Sequence, residues 1–402
     1  MAENTRHNTN IVRADDNCDF ALAESQRCLK CKAPTCIGGC PVGWNIPEFL
    51  RLVSAGDFTS ATLTVGHLFG EVCGYVCARD KQCKGHCVLA KKGCGIDVGA
   101  VERQAFSVAF PRVTQQDNAL QGVSVAVVGG GVSGVTFAVK CVQHGADVTL
   151  FEQKQLLNTL KSIPEMRLPR AALERIEHAV NASSVKIVQR KVDEKTLAEL
   201  QKNYDVVYLA TGAMKPNLLG IDGEQFVTQA DGFLRGNNFA PALIIGGGNT
   251  AMDCAMLNAS KGHDTVVCYR RARNDMPAFD AEVSLAEQCG ASFVFNAAPM
   301  SVVKNVDGTL TVTFAKTQCE GRGKLVITDE TFELQCNLLV AATGSIFDAS
   351  VFTADRFLRT DEHNCVCGNL YSGGDATGKG LAVLAVADAL NAFRAVLQKY
   401  KR

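Results

Sequence analysis

The stretch VSVAVVGGGVSGVTFAVKCVQHGADVTLFE, residues 123–152, has the pattern of a strand, a tight turn, a helix and a second strand. An apolar run at residues 123–128 precedes a G-x-G-x-x-G motif at residues 129–134, and a helical pattern then continues to Gly145. The second strand, residues 147–151, is followed at once by Glu152. This order of features predicts a βαβ unit that binds a dinucleotide.

The three glycines of the motif have different predicted roles. Gly129 permits the tight turn, Gly131 lets the backbone approach a pyrophosphate, and Gly134 lets the helix and strand pack closely. The pyrophosphate would lie at the positive end of the helix, and Glu152 could accept hydrogen bonds from a ribose. The alternative is a glycine-rich turn without a ligand, but the acid at the end of the second strand favours the dinucleotide.

A second dinucleotide motif lies further along the chain. The apolar residues 242–245 precede GGGNTA at residues 246–251, which fits G-x-G-x-x-A, and the next predicted strand covers residues 265–269. Arg270 and Arg271 follow that strand, with Arg273 nearby, where an NAD-binding unit would carry an acid. Cations at this position suit the 2′-phosphate of NADPH. A solvated basic turn, the alternative, would leave the coenzyme preference open.

Composition narrows the class of protein. The 402 residues suit two or three domains, 47% are hydrophobic, and the formal net charge is zero, so no electrostatic argument favours nucleic acid or an anionic membrane. No apolar run reaches the roughly 18 residues of a spanning helix, and residues 1–16 are polar without an apolar signal core. We therefore expect a cytoplasmic protein that binds neither nucleic acid nor membrane, of unknown oligomeric state.

The cysteines are concentrated at the start of the chain, where ten of the 18 precede Gly95. A C-x2-C-x4-C-x3-C-P run at residues 28–41 is followed by a second array at residues 73–87. A structural zinc site, usually built from two C-x2-C pairs, is one alternative interpretation of these cysteines. Free thiols are another. Three close thiolates with a fourth before proline are more typical of cubane iron–sulfur clusters.

At this point the sequence resembles a known family. CLKCKAPTCIGGCPVGWNIPEFLRLVSAGDF (28–58), CGYVCARDKQCKGHC (73–87) and IDVGAVER (96–103) are similar to the N-terminal domain of the NADPH-dependent glutamate synthase small (beta) subunit family. Dihydropyrimidine dehydrogenase and the large subunit of NADH-dependent ferredoxin:NADP oxidoreductase begin with the same domain. The resemblance implies an α/β fold with two Rossmann-like domains, one inserted in the other, after an α-helical iron–sulfur domain. The implied domains are 1–112 (4Fe–4S), 122–240 with 341–402 (FAD) and 241–340 (NADPH).

The resemblance also implies the ligands of two 4Fe–4S clusters. One cluster would take Cys28, Cys31, Cys36 and Glu102, and the other Cys40, Cys77, Cys83 and Cys87. Cys73 and Cys94 would then be non-ligands. A solvated helix residue is the alternative for Glu102.

Further family features concern FAD. Residues 370–375, LYSGGD, resemble a second flavin fingerprint that delivers Asp375 to the ribityl or phosphate region, and residues 379–382 open the last helix near the flavin ring. Residues 163–169, IPEMRLP, match the family and make Arg167 a candidate contact, with a surface arginine as the alternative. The triplet Ala-Thr-Gly, at 210–212 and again at 342–344, would mark the crossings between the two dinucleotide domains. The sequence departs from the family at residues 157–160, LNTL, where Gly-Gly-x-Leu is usual.

These features give two sets of candidate residues. The candidates for FAD are Gly129, Gly131, Val132, Ser133, Gly134, Glu152, Leu160, Arg167, Val192, Thr211, Gly212, Gly374, Asp375, Gly380, Leu381 and Ala382. The candidates for NADP are Gly246, Gly248, Asn249, Thr250, Ala251, Arg270, Arg271, Arg273, Thr343 and Gly344.

Together these parts predict an NADPH-dependent oxidoreductase in which FAD takes a hydride from NADPH and single electrons pass through two 4Fe–4S clusters to a partner. No catalytic side chain is expected, because the flavin carries the chemistry. No C-x-x-C lies in the nucleotide domains, which argues against a thioredoxin-reductase mechanism. The expected partner is an electron-accepting protein, either a large glutamate synthase-like subunit or a ferredoxin. The alternatives are a stand-alone NADPH:acceptor oxidoreductase and a non-catalytic cluster-bearing or assembly protein.

Overall fold

The computed structural model describes residues 18–213, 215–320, 324–348, 351–352 and 357–400. These residues form two compact units. One contains residues 215–345 together with 162–164, and the other contains the remaining described residues before 215 and after 345. The polar residues 1–16 and the sequence Gly-Arg-Gly at 321–323, which is typical of a turn, lie outside the described residues.

The helices occur in both units. They are α1 (Cys18–Gln26), α2 (Thr35–Gly39), α3 (Ile46–Ser54), α4 (Phe58–Val65), α5 (Gly70–Val76), α6 (Val98–Val108), α7 (Val132–Gln143), α8 (Arg170–Asn181), α9 (Glu194–Asn203), α10 (Ala230–Arg235), α11 (Asn249–Ser260), α12 (Asp280–Gln288) and α13 (Ala382–Tyr400). Of the described helices, not one is both long enough and apolar enough to cross a membrane.

The strands form two larger sheets and two smaller ones. They are β1 (Ser124–Val128), β2 (Asp147–Glu152), β3 (Lys186–Gln189), β4 (Val206–Leu209), β5 (Lys215–Pro216), β6 (Val227–Gln229), β7 (Ala242–Ile245), β8 (Thr265–Tyr269), β9 (Ser292–Phe295), β10 (Ala297–Lys304), β11 (Leu310–Glu320), β12 (Lys324–Cys336), β13 (Leu338–Ala341), β14 (Ser345–Ile346), β15 (Cys365–Cys367) and β16 (Leu370–Ser372).

Helices α1 to α6 form the N-terminal, cysteine-bearing part of the larger unit. In α3 the apolar residues Ile46, Phe49, Leu50 and Val53 share one helical face and are at most 1% exposed. The chain breaks after α3 and starts α4 at Asp57, whose carboxylate accepts a hydrogen bond from a backbone N–H in the first turn of α4. Helices α5 and α6 pack closely, and α6 carries the buried Glu102.

The same unit contains a six-stranded sheet of order β15-β16-β4-β1-β2-β3. All neighbouring pairs are parallel except β15 with β16. Strand β16 therefore returns to the sheet beside β4 after the chain has passed through the other unit. The central strands β1, β4 and β16 are buried, and Tyr208 of β4 stacks on Phe137 of α7 with 4.1 Å between ring centroids.

The smaller unit contains a parallel sheet of order β6-β13-β7-β8-β9 and an antiparallel sheet of order β10-β11-β12. Both sheets contribute to one apolar core that includes Ile245, Val312, Phe314 and Leu339. The predicted α/β fold class, two dinucleotide-binding modules after a helical N-terminal part, is confirmed.

An ion pair between a half-buried arginine and a buried carboxylate links the helical part to the six-stranded part within the larger unit. Arg175 of α8 donates through Nε to Glu71 of α5 at 2.9 Å and through Nη2 at 2.5 Å. Glu71 is only 2% exposed, so the guanidinium provides the charge that its carboxylate requires in a dry environment. The same contact raises the pKa of Arg175.

Candidate cofactor sites

The first glycine turn lies between β1 and α7, and its three glycines have different surroundings. A Cβ on Gly129 would lie 2.3 Å from the carbonyl oxygen of Ala210, and φ at Gly129 is +108°, so only glycine suits this turn. A Cβ on Gly134 would lie 1.9 Å from the carbonyl oxygen of Gly129. A Cβ on Gly131 would have no atom within 4 Å. Gly129 and Gly134 are therefore required by the protein itself, whereas the space beside Gly131 is open to a ligand.

Glu152 holds this turn in place. Its Oε2 accepts a hydrogen bond from the backbone N–H of Gly130 at 2.7 Å, and its Oε1 accepts one from the N–H of Lys154 at 2.8 Å. One carboxylate thus joins the loop after β1 to the loop after β2. Glu152 also lines a cleft of about 150 Å³ at the carboxyl ends of the strands.

That cleft brings together part of the predicted FAD set. Its lining includes the candidates Gly129, Gly131, Glu152, Val192, Thr211 and Gly212. The hydroxyl of Thr211 is buried and has no hydrogen-bond partner among the described residues, which is the environment expected where a polar ligand group binds. The open space beside Gly131, the carboxylate of Glu152 and the hydroxyl of Thr211 therefore fit a bound dinucleotide.

Several residues of the cleft were not among the sequence candidates. Lys154, Arg190, Lys191 and Asp348 line it together with residues 158–159. Arg190 and Lys191 could have been predicted to lie here, because they directly follow β3 and the parallel strands of a sheet end at the same edge. Asp348 reaches the cleft only through the return of the chain to the first sheet.

In the LNTL segment, residues 157–160, a leucine adopts a left-handed backbone conformation that normally favours glycine. Leu157 has φ +56° and is 1% exposed, and its backbone N–H donates to the carbonyl oxygen of Gly130 at 2.8 Å. A left-handed conformation costs a non-glycine residue about 1–2 kcal/mol. Here the buried apolar contacts of Leu157 offset that cost. Asn158 and Thr159 are then placed at the cleft.

Other FAD candidates lie away from the cleft lining. Val132 and Ser133 begin α7, Leu160 lies in a short 3₁₀ turn, and Arg167 is buried at 4% exposure. The Ser133 hydroxyl is 2.6 Å from the phenolic oxygen of the buried Tyr208, so it serves the packing of α7 on the sheet.

The loop between β16 and α13 is organised by two carboxylates. Asp375 Oδ1 accepts a hydrogen bond from the N–H of Gly380 at 3.1 Å, and burial raises the pKa of Asp375. Asp388 of α13 accepts from the N–H of Gly374 at 3.0 Å and from the Thr377 hydroxyl at 3.2 Å. Leu381 and Ala382 follow, half-buried at the start of α13. Asp388 therefore positions this loop. The sequence analysis did not identify it, because it belongs to no recognisable motif.

The second glycine turn repeats this geometry in the smaller unit. A Cβ on Gly246 would lie 2.4 Å from the carbonyl oxygen of Ala342, whereas one on Gly248 would have no atom within 4 Å. Asn249 Oδ1 accepts a hydrogen bond from the N–H of Phe279 at 3.0 Å. Ala251 is fully buried. The open space again lies at the second glycine.

The three arginines after β8 differ in their surroundings. Arg270 is exposed, and Arg271 is half-buried with an Nε that has no acceptor in the described chain. Arg273 pairs with Glu287, with Nη1 to Oε1 at 2.5 Å, and its guanidinium lies 5.9 Å from the Phe293 ring centroid. Arg270 and Arg271 are therefore the better placed of the three to bind an anion.

The other NADP candidates are also in the smaller unit. Thr250 is exposed in the first turn of α11. The hydroxyl of Thr343 donates to the carbonyl oxygen of Asn217 at 2.6 Å, and Gly344 accepts from the N–H of Asn217 at 3.0 Å. The second Ala-Thr-Gly triplet thus anchors the chain that enters this unit.

The cysteines of the two arrays line two separate cavities. The first cavity is lined by Cys28, Cys31, Cys36 and Cys87, and the second by Cys40, Cys73, Cys77, Cys83 and Glu102. The structure does not bring the predicted groups together, since Glu102 lines the cavity of Cys40 and Cys87 lines the cavity of Cys28. Glu102 lies on α6, which packs on α5 and faces Cys77, while Cys87 lies beyond α5 and folds back to the first array. Among the described residues, no three such side chains are placed to hold a single metal ion.

Several acidic groups that line the second cavity have raised pKa values. Burial raises the pKa of Cys40 to about 11, and burial together with the nearby Glu102 raises that of Cys83 further. Burial and the neighbouring Cys77 also raise the pKa of Glu102 well above its usual range. A cationic iron centre would stabilise all of these groups in their deprotonated forms. The donor chemistry of both cavities therefore fits iron–sulfur clusters.

Comparison with protein families identifies the class. Residues 123–389 match the pyridine nucleotide-disulphide oxidoreductase family, and residues 5–113 match the family described as dihydropyrimidine dehydrogenase domain II, 4Fe-4S cluster. The chain therefore belongs to the pyridine nucleotide-disulphide oxidoreductase family and carries a 4Fe–4S domain in front of it. It is an oxidoreductase of the flavin-dependent type.

Individual relatives confirm the resemblance to the glutamate synthase small subunit. The chain is 28% identical to the glutamate synthase [NADPH] small chain of Azospirillum brasilense, over 81% of this chain and 75% of the relative. It is 29% identical to the NAD-dependent dihydropyrimidine dehydrogenase subunit PreT of Escherichia coli, over 71% of this chain and 74% of the relative. The solved structure of Mycobacterium tuberculosis FprA in complex with NADPH shares the fold, with a TM-score of 0.56 at 17% identity over 69% of this chain and 84% of that one.

Proposed function

We propose that this protein is an NADPH-dependent FAD and iron–sulfur oxidoreductase that delivers single electrons to a protein partner, like the glutamate synthase small subunit. FAD, when bound, supplies hydride acceptance from NADPH and release of electrons one at a time to the clusters. The protein itself binds, orients and shields these groups. No C-x-x-C follows residue 95, so disulfide exchange is not part of the proposal.

The observation that carries the proposal is the position of the second cysteine cavity. Its lining includes Val383, in the first turn of α13, as well as Cys40, Cys77 and Glu102. The loop before α13 contains Asp375, the candidate of the second flavin fingerprint. One helix end thus adjoins both the predicted flavin loop and a cysteine cavity, which gives electrons a short path from one to the other.

This position supports an order of transfer. The cavity containing Glu102 would receive electrons from the flavin side, and the cavity of Cys28, Cys31, Cys36 and Cys87 would pass them outward. A carboxylate is a harder donor than a thiolate and alters the potential of a cluster. We propose the ligand sets Cys40, Cys77, Cys83 with Glu102, and Cys28, Cys31, Cys36 with Cys87.

The residues after β8 support NADPH as the coenzyme. The guanidinium groups of Arg270 and Arg271 suit a 2′-phosphate through charge-assisted hydrogen bonds. Removing both charges (Arg270→Ala with Arg271→Ala) should therefore lower kcat/KM for NADPH far more than for NADH. An equal loss for the two coenzymes would contradict this assignment.

The test of the proposal begins with cofactor content. Anaerobically purified protein should contain about eight irons and eight sulfides for two 4Fe–4S clusters, and about one flavin, per chain. Titration with NADPH should bleach the flavin before the clusters. Zinc, or iron without flavin, would overturn the reductase proposal and favour a structural or assembly role.

Single substitutions test the ligand sets. Cys87→Ala and Cys36→Ala should remove the same electron paramagnetic resonance signal, and Cys83→Ala and Glu102→Ala should affect the other. Cys94→Ala is the matched control, because the exposed Cys94 lines neither cavity. If Cys87→Ala and Cys83→Ala both removed the same signal, the proposed ligand sets would be contradicted. The cofactor content of the native protein would still test the proposed function separately.

A further inference from the structure

The outer cysteine cavity opens on an apolar and strongly basic surface. Leu29 and Val88 line this cavity and are 58% and 41% exposed, so apolar side chains reach the surface beside the cysteines. Exposed Lys30 and Lys32 adjoin Cys31 in the chain, and exposed Lys91 and Lys92 follow Val88 in a 3₁₀ turn. We call this surface the cluster face, formed by Leu29, Lys30, Lys32, Val88, Lys91 and Lys92.

The charge of the cluster face is one-sided. Residues 26–40 and 81–95, the two segments that form it, contain seven lysines and arginines and no aspartate or glutamate. This is a local excess, because the whole chain has a formal net charge of zero. Each lysine of the cluster face is exposed and lies within one turn of chain from Leu29 or Val88, which line the same cavity, so together they raise the local potential and attract anionic surfaces.

Nearby carboxylates balance only part of this excess. Of the seven cations in these segments, Arg27 pairs with Glu24 at 2.6 Å and Lys84 pairs with Asp80 at 3.1 Å. Two other carboxylates near the cavity pair outside the segments, Glu48 with Arg51 at 2.7 Å and Asp97 with Arg79 at 2.6 Å. In the described part of the chain, no carboxylate forms an ion pair with any lysine of the cluster face.

An apolar centre with a charged rim is the arrangement of a protein-docking surface. We propose that the cluster face is the docking site for an acidic one-electron carrier protein, which receives electrons from the cavity of Cys28, Cys31, Cys36 and Cys87. This inference rests on the proposed function. The apolar pair Leu29 and Val88 would exclude water above the outer cluster, while the lysines would steer and orient the partner.

The experiment uses the holoenzyme and an acidic plant-type 2Fe–2S ferredoxin as the probe. Binding is measured at about 0.01 M and at 0.2 M ionic strength, since charge interactions reach roughly 30 Å at the lower value. The test variant is Lys91→Glu with Lys92→Glu. The matched control is Lys195→Glu with Lys202→Glu, which makes the same change in net charge on the exposed surface of α9.

At low salt the test variant should bind ferredoxin at least about tenfold more weakly than the native protein, and the control less than about twofold. Native binding should weaken with salt more steeply than binding of the test variant. Equal losses in the test and control variants, or native binding that does not depend on salt, would overturn the docking proposal. So would preferential binding of the cluster face to phosphatidylserine vesicles, which would assign it to a membrane.

Two further measurements distinguish docking at the lysines from an effect of their charge on the cluster itself. NADPH-dependent reduction of menadione, a small uncharged quinone that can accept electrons directly from flavin, should be unchanged in the test variant, which shows that NADPH oxidation is intact. If the lysines only balanced the charge of the cluster, the variant would shift the cluster midpoint potential and leave ferredoxin binding unchanged, and the docking proposal would fail. Absence of menadione reduction in the native protein would overturn the proposed function, whereas the docking result would still be decided by the binding measurement.

Discussion

The substitution Gly131→Ala separates a ligand-contacting glycine from a packing glycine. Gly131 has φ −81° and ψ −168°, where alanine is unstrained, and an added Cβ would have no atom within 4 Å. The flavin-free protein should therefore fold normally. It should even gain about 0.4–1 kcal/mol, because alanine restricts the unfolded chain more than glycine does.

Binding of FAD should respond in the opposite direction. If the pyrophosphate lies against Gly131, the new methyl group occupies its place and adds an overpacking cost of about 1–3 kcal/mol. Since about 1.4 kcal/mol corresponds to a tenfold change, the dissociation constant for FAD should rise about five- to 150-fold. Thermal stability and ligand affinity thus change with opposite signs.

The assay is titration of FAD into flavin-free protein, followed by calorimetry or by quenching of flavin fluorescence, together with a thermal melt of the same sample. Gly134→Ala is the comparison, because its Cβ would lie 1.9 Å from a backbone oxygen and should lower stability before any ligand is added. If Gly131→Ala melts like the native protein and binds FAD with unchanged affinity, the dinucleotide does not pass beside Gly131.

Three other substitutions test separate parts of the structure. Gly248→Ala, also without an atom within 4 Å of the new Cβ, should raise KM for NADPH about fivefold or more at unchanged flavin content, and an unchanged KM would contradict an NADPH site there. Arg175→Ala removes the guanidinium that pairs with the buried Glu71 and should cost about 3 kcal/mol in urea unfolding followed by circular dichroism, whereas Glu71→Leu with Arg175→Met should lie closer to the native stability. Leu157→Gly should cost less than the about 2–5 kcal/mol typical of truncating a buried leucine, because glycine relieves about 1–2 kcal/mol of left-handed strain, and a larger loss would show that no strain is present.

The elements that could be predicted closely are those with local signals. The sequence predicts strands at residues 242–245 and 265–269, and β7 and β8 have these bounds. The strand predicted at residues 147–151 is β2, Asp147–Glu152. In each case the signal is contained in a few neighbouring residues, an apolar run that ends at polar residues or at a glycine.

Two features were less well predicted because they depend on distant pairing. Strands β11 (Leu310–Glu320) and β12 (Lys324–Cys336) run well beyond the residues that they contribute to the apolar core. They reach this length because each provides hydrogen-bond partners for the other. The left-handed conformation at Leu157 was also unexpected, since a leucine carries no local signal for it.

The sequence by itself determined the two glycine turns, the acid and arginines that follow them, the cysteine-rich N-terminal part and the oxidoreductase class. These features depend on residue types at fixed, short spacings, and such spacings are compatible with only a few local backbone conformations. Only the tertiary structure decided which cysteines share a cavity. Cys87 joins Cys28, and Glu102 joins Cys40, because α5 and α6 fold back on each other and bring together residues that the sequence keeps far apart.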